Sequence, residues 1–173
     1  MSFEDGQALA AASGVTFRND LGDVWDWELV GDPRPTTTDP SPATTIELTN
    51  AGNGCQVVDE RAPFEGVGTD DRAASMALVE ERLADADVVS GPGAGVVGLG
   101  EGLGEGGPTY EVARAVGRAA DRRWLVVTAR AFTALAAQHV VTVSCEEGGA
   151  VDMTLGQLSQ VSFAHLRGLE QYP

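Results

Sequence analysis

A chain of 173 residues, 43% of them hydrophobic, fits a single domain that can bury its own core without metal or disulfide staples. Its 26 acids against 11 basic residues give a net charge of −15, which argues against nucleic acid and anionic membranes as partners and favours plain solubility, cations or a basic protein partner. Every basic residue is arginine, so Schiff-base catalysis, pyridoxal phosphate attachment and the Walker A lysine are excluded.

No apolar run approaches the ~20 residues of a membrane span, so no transmembrane segment is expected. The N-terminus begins with acids and has no basic leader region. As written it predicts a cytoplasmic protein, and an exported one if a leader precedes Met1.

In chain order, residues 1–43 read as an N-terminal helix, a strand and a Pro/Thr-rich loop, and 44–173 as the main sheet with its helices. Ser2 caps a short helix over 3–12, and Gly14 stands past its end. Trp25, Trp27 and Leu29 alternate with Val24, Asp26 and Glu28, which predicts a half-buried strand over 24–30. Two tryptophans on one face make core, or in the sharper reading an aromatic ligand platform. The stretch 31–45 is a loop.

Ile46, Leu48 and Cys55, Val57 flank an Asn/Gly cluster, which predicts a hairpin with strands near 44–49 and 55–61. A helix follows over 69–87, capped by Thr69 or Asp70. Its expected apolar stripe is Ala73, Met76, Ala77, Val79 and Leu83. Val88 and Val89 begin a short strand that runs into the glycine-rich stretch 90–107, which reads as a flexible loop or lid containing Gly100, Gly102, Gly104 and Gly107. Strands follow at 124–132 and 139–145. The run 110–118 before them has a composition that favours helix, but Val112 and Val116 alternate with small residues and the polar turn Ala120–Arg123 follows, so it reads as a third strand of a meander. The last element reads as a helix over 154–169. Thr154 and Gln157 form its capping box, and Leu155, Leu158, Val161, Leu166 and Leu169 form its buried stripe.

Strands joined by short turns, with helices packed on them, make an α+β fold on an antiparallel sheet. The helix AASMALVEERL, the strands WLVVTARAF and HVVTVSCEE, and the closing LGQLSQVSFAHLRGL resemble the Mog1/PsbP-like family, which includes actinobacterial lipoproteins of the LpqN kind. The resemblance covers about residues 44–169. It implies an α/β/α sandwich and a non-enzymatic binding or assembly role. The absent leader departs from the lipoprotein members.

Residue chemistry narrows the rest. Gly102, Gly104 and Gly107 fit the spacing G-x-G-x-x-G, but Glu101 and Glu105 inside it would repel phosphate, so a mobile connection is the stronger reading. Histidines stand only at 139 and 165. His139 and Cys145 share strand parity but lie about 20 Å apart along it, too far for a dyad; Cys55 with either histidine stays geometrically open. Cys55 and Cys145 are two buried thiols, or one disulfide in an oxidising compartment. The acids Asp20, Asp23 and Asp26, or Asp70 and Asp71, match no calcium loop, and no zinc motif occurs, so neither metal nor cofactor is expected. Arg114, Arg118 and Arg130 could gather on one surface for an anionic ligand, or pair with the chain's own acids. The leading expectation is a non-catalytic binding or assembly module for an unknown protein partner, self-association included. The alternative is a small-molecule enzyme working with carboxylates and arginines under a Gly-rich lid.

Overall fold

The computed structural model describes residues 1–4, 14–31, 43–66, 70–99 and 109–167. Nine strands form one sheet: β1 (Gly14–Asn19), β2 (Glu28–Leu29), β3 (Thr44–Asn50), β4 (Cys55–Pro63), β5 (Asp87–Leu99), β6 (Thr109–Arg118), β7 (Trp124–Phe132), β8 (Ala137–Cys145) and β9 (Ser162–Arg167). Their spatial order is β1-β9-β5-β6-β7-β8-β4-β3-β2. All neighbours are antiparallel except β5 and β9, which run parallel at Gly98–Phe163 and Leu99–Ala164. Among the described residues two full helices, α1 (Asp71–Arg82) and α2 (Val151–Val161), complete the α+β fold.

The β3–β4 hairpin forms where the Asn/Gly cluster places it. Asn50 Oδ1 accepts from the Asn53 amide, Asn53 Oδ1 accepts from the Cys55 amide, and Gly54 supplies the left-handed residue with φ of 67°. The meander β6–β7–β8 matches the run of extended segments expected at 110–118, 124–132 and 139–145. Asp70 caps α1 through its side chain, which accepts from Ala73 N at 2.7 Å.

The stripe of α1 is the expected one only in part: Val79 and Leu83 are buried and Met76 packs beside them. Ala73 and Ala77 face solvent, and the buried set is Ala74, Ser75, Leu78, Val79 and Leu83. Polar anchors set the rotation of the helix. Ser75 Oγ donates to Asp71 O and accepts from Ala131 N of β7, and Asp71 Oδ1 accepts from both Thr133 N and Thr133 Oγ1. Hydrophobicity alone does not register these contacts.

Three further expectations are corrected. The strand over 24–30 shrinks to Glu28–Leu29, because Leu21–Asp23 forms a 3-10 turn and Asp26 takes φ of 70°. The stretch 90–99 is not loop but the body of β5. The helix over 154–169 begins at Val151, stops at Val161 and gives way to β9, which pairs with β1. Thr154 is therefore inside the helix. Its amide donates to Ala150 O, and its buried hydroxyl takes the Asn53 amide at 3.3 Å. Leucine spacing fitted a helix, but pairing with β1 overrides it. The helix over 3–12 and the glycines 100, 102, 104 and 107 fall wholly or mostly outside the described residues.

α1 packs on Ala113, Ala115, Val127, Ala129, Ala131 and Val140. The positions of alternate parity, Val57, Val126 and Val143, pack with Leu21, Trp27, Leu48 and Leu158 of α2. Among these the sulfurs of Cys55 and Cys145 are bonded, at directly opposed positions of β4 and β8. The reading of two free thiols is thus replaced by a bridge, because strand pairing brings their Cα atoms to 4.1 Å.

Candidate functional site

Charge is gathered under β1. Asp59 lies on the inward side of β4, in alternation with Cys55, Val57 and Arg61, and is fully buried. Arg61 Nε donates to its Oδ1 at 2.9 Å, and Asn19 Nδ2 of β1 donates to its Oδ2 at 2.9 Å. His139 Nε2 of β8 stands 3.1 Å from Oδ1, close enough for an ion pair but off the axis of a hydrogen bond. Burial alone would raise the Asp59 carboxyl, but the adjacent His139 and Arg61 outweigh it and hold the group well below the usual carboxylate range. The Phe17 ring stacks on the His139 imidazole at 4.3 Å and closes the cluster from above.

A second buried network adjoins it. Arg130 Nη2 pairs with Asp71 Oδ2 at 2.9 Å, and Nη1 donates to Glu111 O at 2.9 Å. The guanidinium lies between the Phe3 ring at 4.5 Å and the Phe132 ring at 4.8 Å. Its Nε has no hydrogen-bond partner among the described residues. Burial lowers the Arg130 pKa, against the pull of Asp71. Tyr110 is also fully buried; burial first, and the Asp59 charge second, push its hydroxyl up, out of the ordinary phenol range.

A groove lies on the other face, between α1 and the start of β5. Val79, Glu80, Leu83, Ala84, Ala86, Val88, Pro92 and Ala115 line a groove of about 300 Å³. Val88 is 53% exposed and Val89 beside it 58%. The groove exists because β5 is bulged twice before Gly93 and approaches β6 closely at Gly91, whose φ is +95°. A Cβ there would lie 2.7 Å from Arg114 O.

The sequence-predicted residues are scattered. Trp27 is buried at 5% exposure with its indole N–H on Gln157 Oε1 at 2.9 Å, while Trp25 is 87% exposed, so no shared tryptophan face exists. Arg114, Arg118 and Arg130 do not form a surface patch. Arg130 is interior. Arg118 donates to Glu147 at 2.9 Å and stacks on Trp124, and Arg114 is exposed opposite Thr128. Asp70 is a helix cap and Asp71 the partner of Arg130. His165 belongs to β9. Among the described residues no three His, Cys, Asp or Glu stand together as a metal site. No helix there is long and apolar enough to cross a membrane.

Sequence reasoning missed Asp59, Arg61 and Asn19. A signal was present: an acid at the inward parity of an otherwise apolar strand, Cys55-x-Val57-x-Asp59, demands a buried counter-charge. It also missed that Val88 and Val89 are exposed. No protein-family model matches this chain, and no curated protein matches it.

Proposed function

We propose that this protein is a non-catalytic binding or assembly module of Mog1/PsbP-like type, which meets a protein partner along the groove between α1 and β5. The observation that carries the reading is the contrast between the two faces. The convergent charged side chains, Asp59, His139 and Arg130, are sealed beneath Phe17 and Phe3, whereas exposed apolar surface lies next to a concave groove at Val88 and Val89. A small-molecule enzyme would need its carboxylates and arginines to converge in an open cleft. The family part of the proposal draws support from the antiparallel meander with α1 on one side and α2 on the other, an α/β/α arrangement. The bridge between Cys55 and Cys145 favours an oxidising compartment, and hence the exported alternative.

The test places a photoreactive amino acid at Ala84 on the groove wall and, as a control, at Ser159 on α2. Irradiation in the cells that make the protein should give a discrete adduct from position 84 alone, and Val88→Ser should abolish it. A self-adduct of twice the mass identifies the partner as a second copy. Equal labelling from both positions, or none from either, removes the groove from the function.

A further inference from the structure

One row of side chains crosses the sheet on the face that carries Asp59. Gly93 of β5, Arg114 of β6, Thr128 of β7, Val141 of β8 and Asp59 of β4 stand directly opposite one another in register. The rows on either side of it are closed. Val126 and Val143 are buried with Leu158 of α2, and Arg130 and His139 are buried against Phe3 and Phe17. Between them Arg114 is exposed and Thr128 and Val141 are half-buried, although β6, β7 and β8 are central strands. The row is the floor of a trough between α2 and β1, and the fully buried Asp59 is its blind end.

The trough opens at β5. From Asp87 to Val97 that strand has a strand neighbour on one side only among the described residues, since β9 joins it at Gly98. Glycines make the room there. A Cβ on Gly93 would meet nothing within 4 Å, and the stem of Arg114 lies along Gly95, where a Cβ would stand 3.7 Å from its Cδ. Arg114 is also set apart by its charge. Among the described residues it makes no ion pair, whereas Arg61, Arg82, Arg118, Arg122, Arg123 and Arg130 each pair with Asp or Glu.

A lone cation in a chain of net charge −15 complements a single negative charge better than a multiply charged anion. The guanidinium fork matches a carboxylate through two parallel hydrogen bonds. Past Arg114 the floor offers Thr128 and then the apolar Val141, roughly 10 Å away across two strand spacings. Beyond Val141 the Asp59 carboxylate repels a second anionic end.

On the face opposite the α1–β5 groove, and independently of it, we infer that this trough binds a small organic monocarboxylate, with its head on Arg114 and its apolar body over Thr128 and Val141. The experiment titrates sodium octanoate into the whole protein by isothermal calorimetry, beside octanedioate, octanol and inorganic phosphate. The variants are Arg114→Gln, Gly93→Leu and, as a control at an exposed turn, Arg122→Gln; a thermal melt of each checks the fold. Octanoate should saturate the wild type and the Arg122 variant alike, lose roughly tenfold in affinity with Arg114→Gln, and fail to bind Gly93→Leu, whose side chain fills the mouth. Octanedioate, octanol and phosphate should each bind the wild type roughly tenfold more weakly than octanoate, or worse. Octanoate binding indifferent to Arg114→Gln, or no saturable binding at all, overturns the proposal. Phosphate bound as tightly as octanoate overturns the apolar body, and octanedioate bound as tightly overturns Asp59 as the blind end.

Discussion

Asn19 of β1 and Asp59 of β4 are joined by a 2.9 Å hydrogen bond although five strands separate theirs in the sheet. A flat sheet would hold those two strands roughly 29 Å apart. The sheet has therefore curled until its first strand lies over its middle, and the Asp59 cluster is the clasp. That clasp, the disulfide and the close approach at Gly91 are the features whose removal should be most visible.

Asp59→Asn leaves Arg61 and His139 facing a neutral amide in a fully buried site. Removing one partner of such a network should cost about 3 kcal/mol at neutral pH. The folded-state pKa of Asp59 lies below its ordinary value of 3.8, so the wild-type contribution is fully present above that pH and is lost as pH falls beneath it. Urea titrations from pH 7 to pH 2 should show the gap between variant and wild type closing in the acid limb. A gap independent of pH would refute the cluster as drawn.

Tyr110 should shape the alkaline limb. Its folded-state pKa is raised above the ordinary 10.0, so the neutral hydroxyl stabilises the fold below that pH and stability falls as pH rises past it. Tyr110→Phe should make stability less dependent on pH between 9 and 11, as followed by circular dichroism at fixed denaturant. The same slope in both proteins would mean that the phenol is not sealed.

The Cys55–Cys145 bridge joins residues 90 apart in sequence. Closing so long a loop constrains the unfolded chain, and its loss should cost about 4 kcal/mol. The double variant Cys55→Ala/Cys145→Ala, or reduction before unfolding, should lower the denaturation midpoint accordingly. Mass spectrometry of the oxidised protein after alkylation without reductant should find neither thiol labelled.

Gly91 and Gly93 stand two residues apart on β5 yet should respond oppositely. A methyl at 91 would meet Arg114 O at 2.7 Å and the Ala115 Cα at 2.9 Å, on a backbone with positive φ, whereas one at 93 meets nothing within 4 Å. Gly91→Ala should destabilise by about 2 kcal/mol, and Gly93→Ala should change stability by less than about 0.5 kcal/mol. Thermal melts of the pair provide the check.

Legibility in the sequence followed the range of the interactions involved. The hairpin at 44–63 and the strands 124–132 and 139–145 were readable because alternation and turn residues are local signals, whereas 110–118, whose composition favours helix, was told as a strand only by the alternation of Val112 and Val116 and the turn after it. Helix α1 was readable as a helix, but its rotation was not, because hydrogen bonds from Asp71 and Ser75 to β7 and the turn after it decide that. The segment 162–167 was lost for a similar reason: its strand exists through β1, some 150 residues away. Trp25 and Trp27 misled because the left-handed Asp26 breaks their apparent alternation. The site was less legible than the fold. Asp59 signalled burial of a charge but not its partners, and the groove depends on bulges that composition does not reveal.

The pairing of β1 with β9 has a consequence for synthesis on the ribosome. The earliest strand to emerge must wait for the latest one before it gains a neighbour. Until β9 has been made, Phe17 has no permanent seat, and the surface it finally covers at His139 and Phe132 remains bare. Sheet closure thus waits for β9, and the nascent polypeptide has to be kept from aggregating until then.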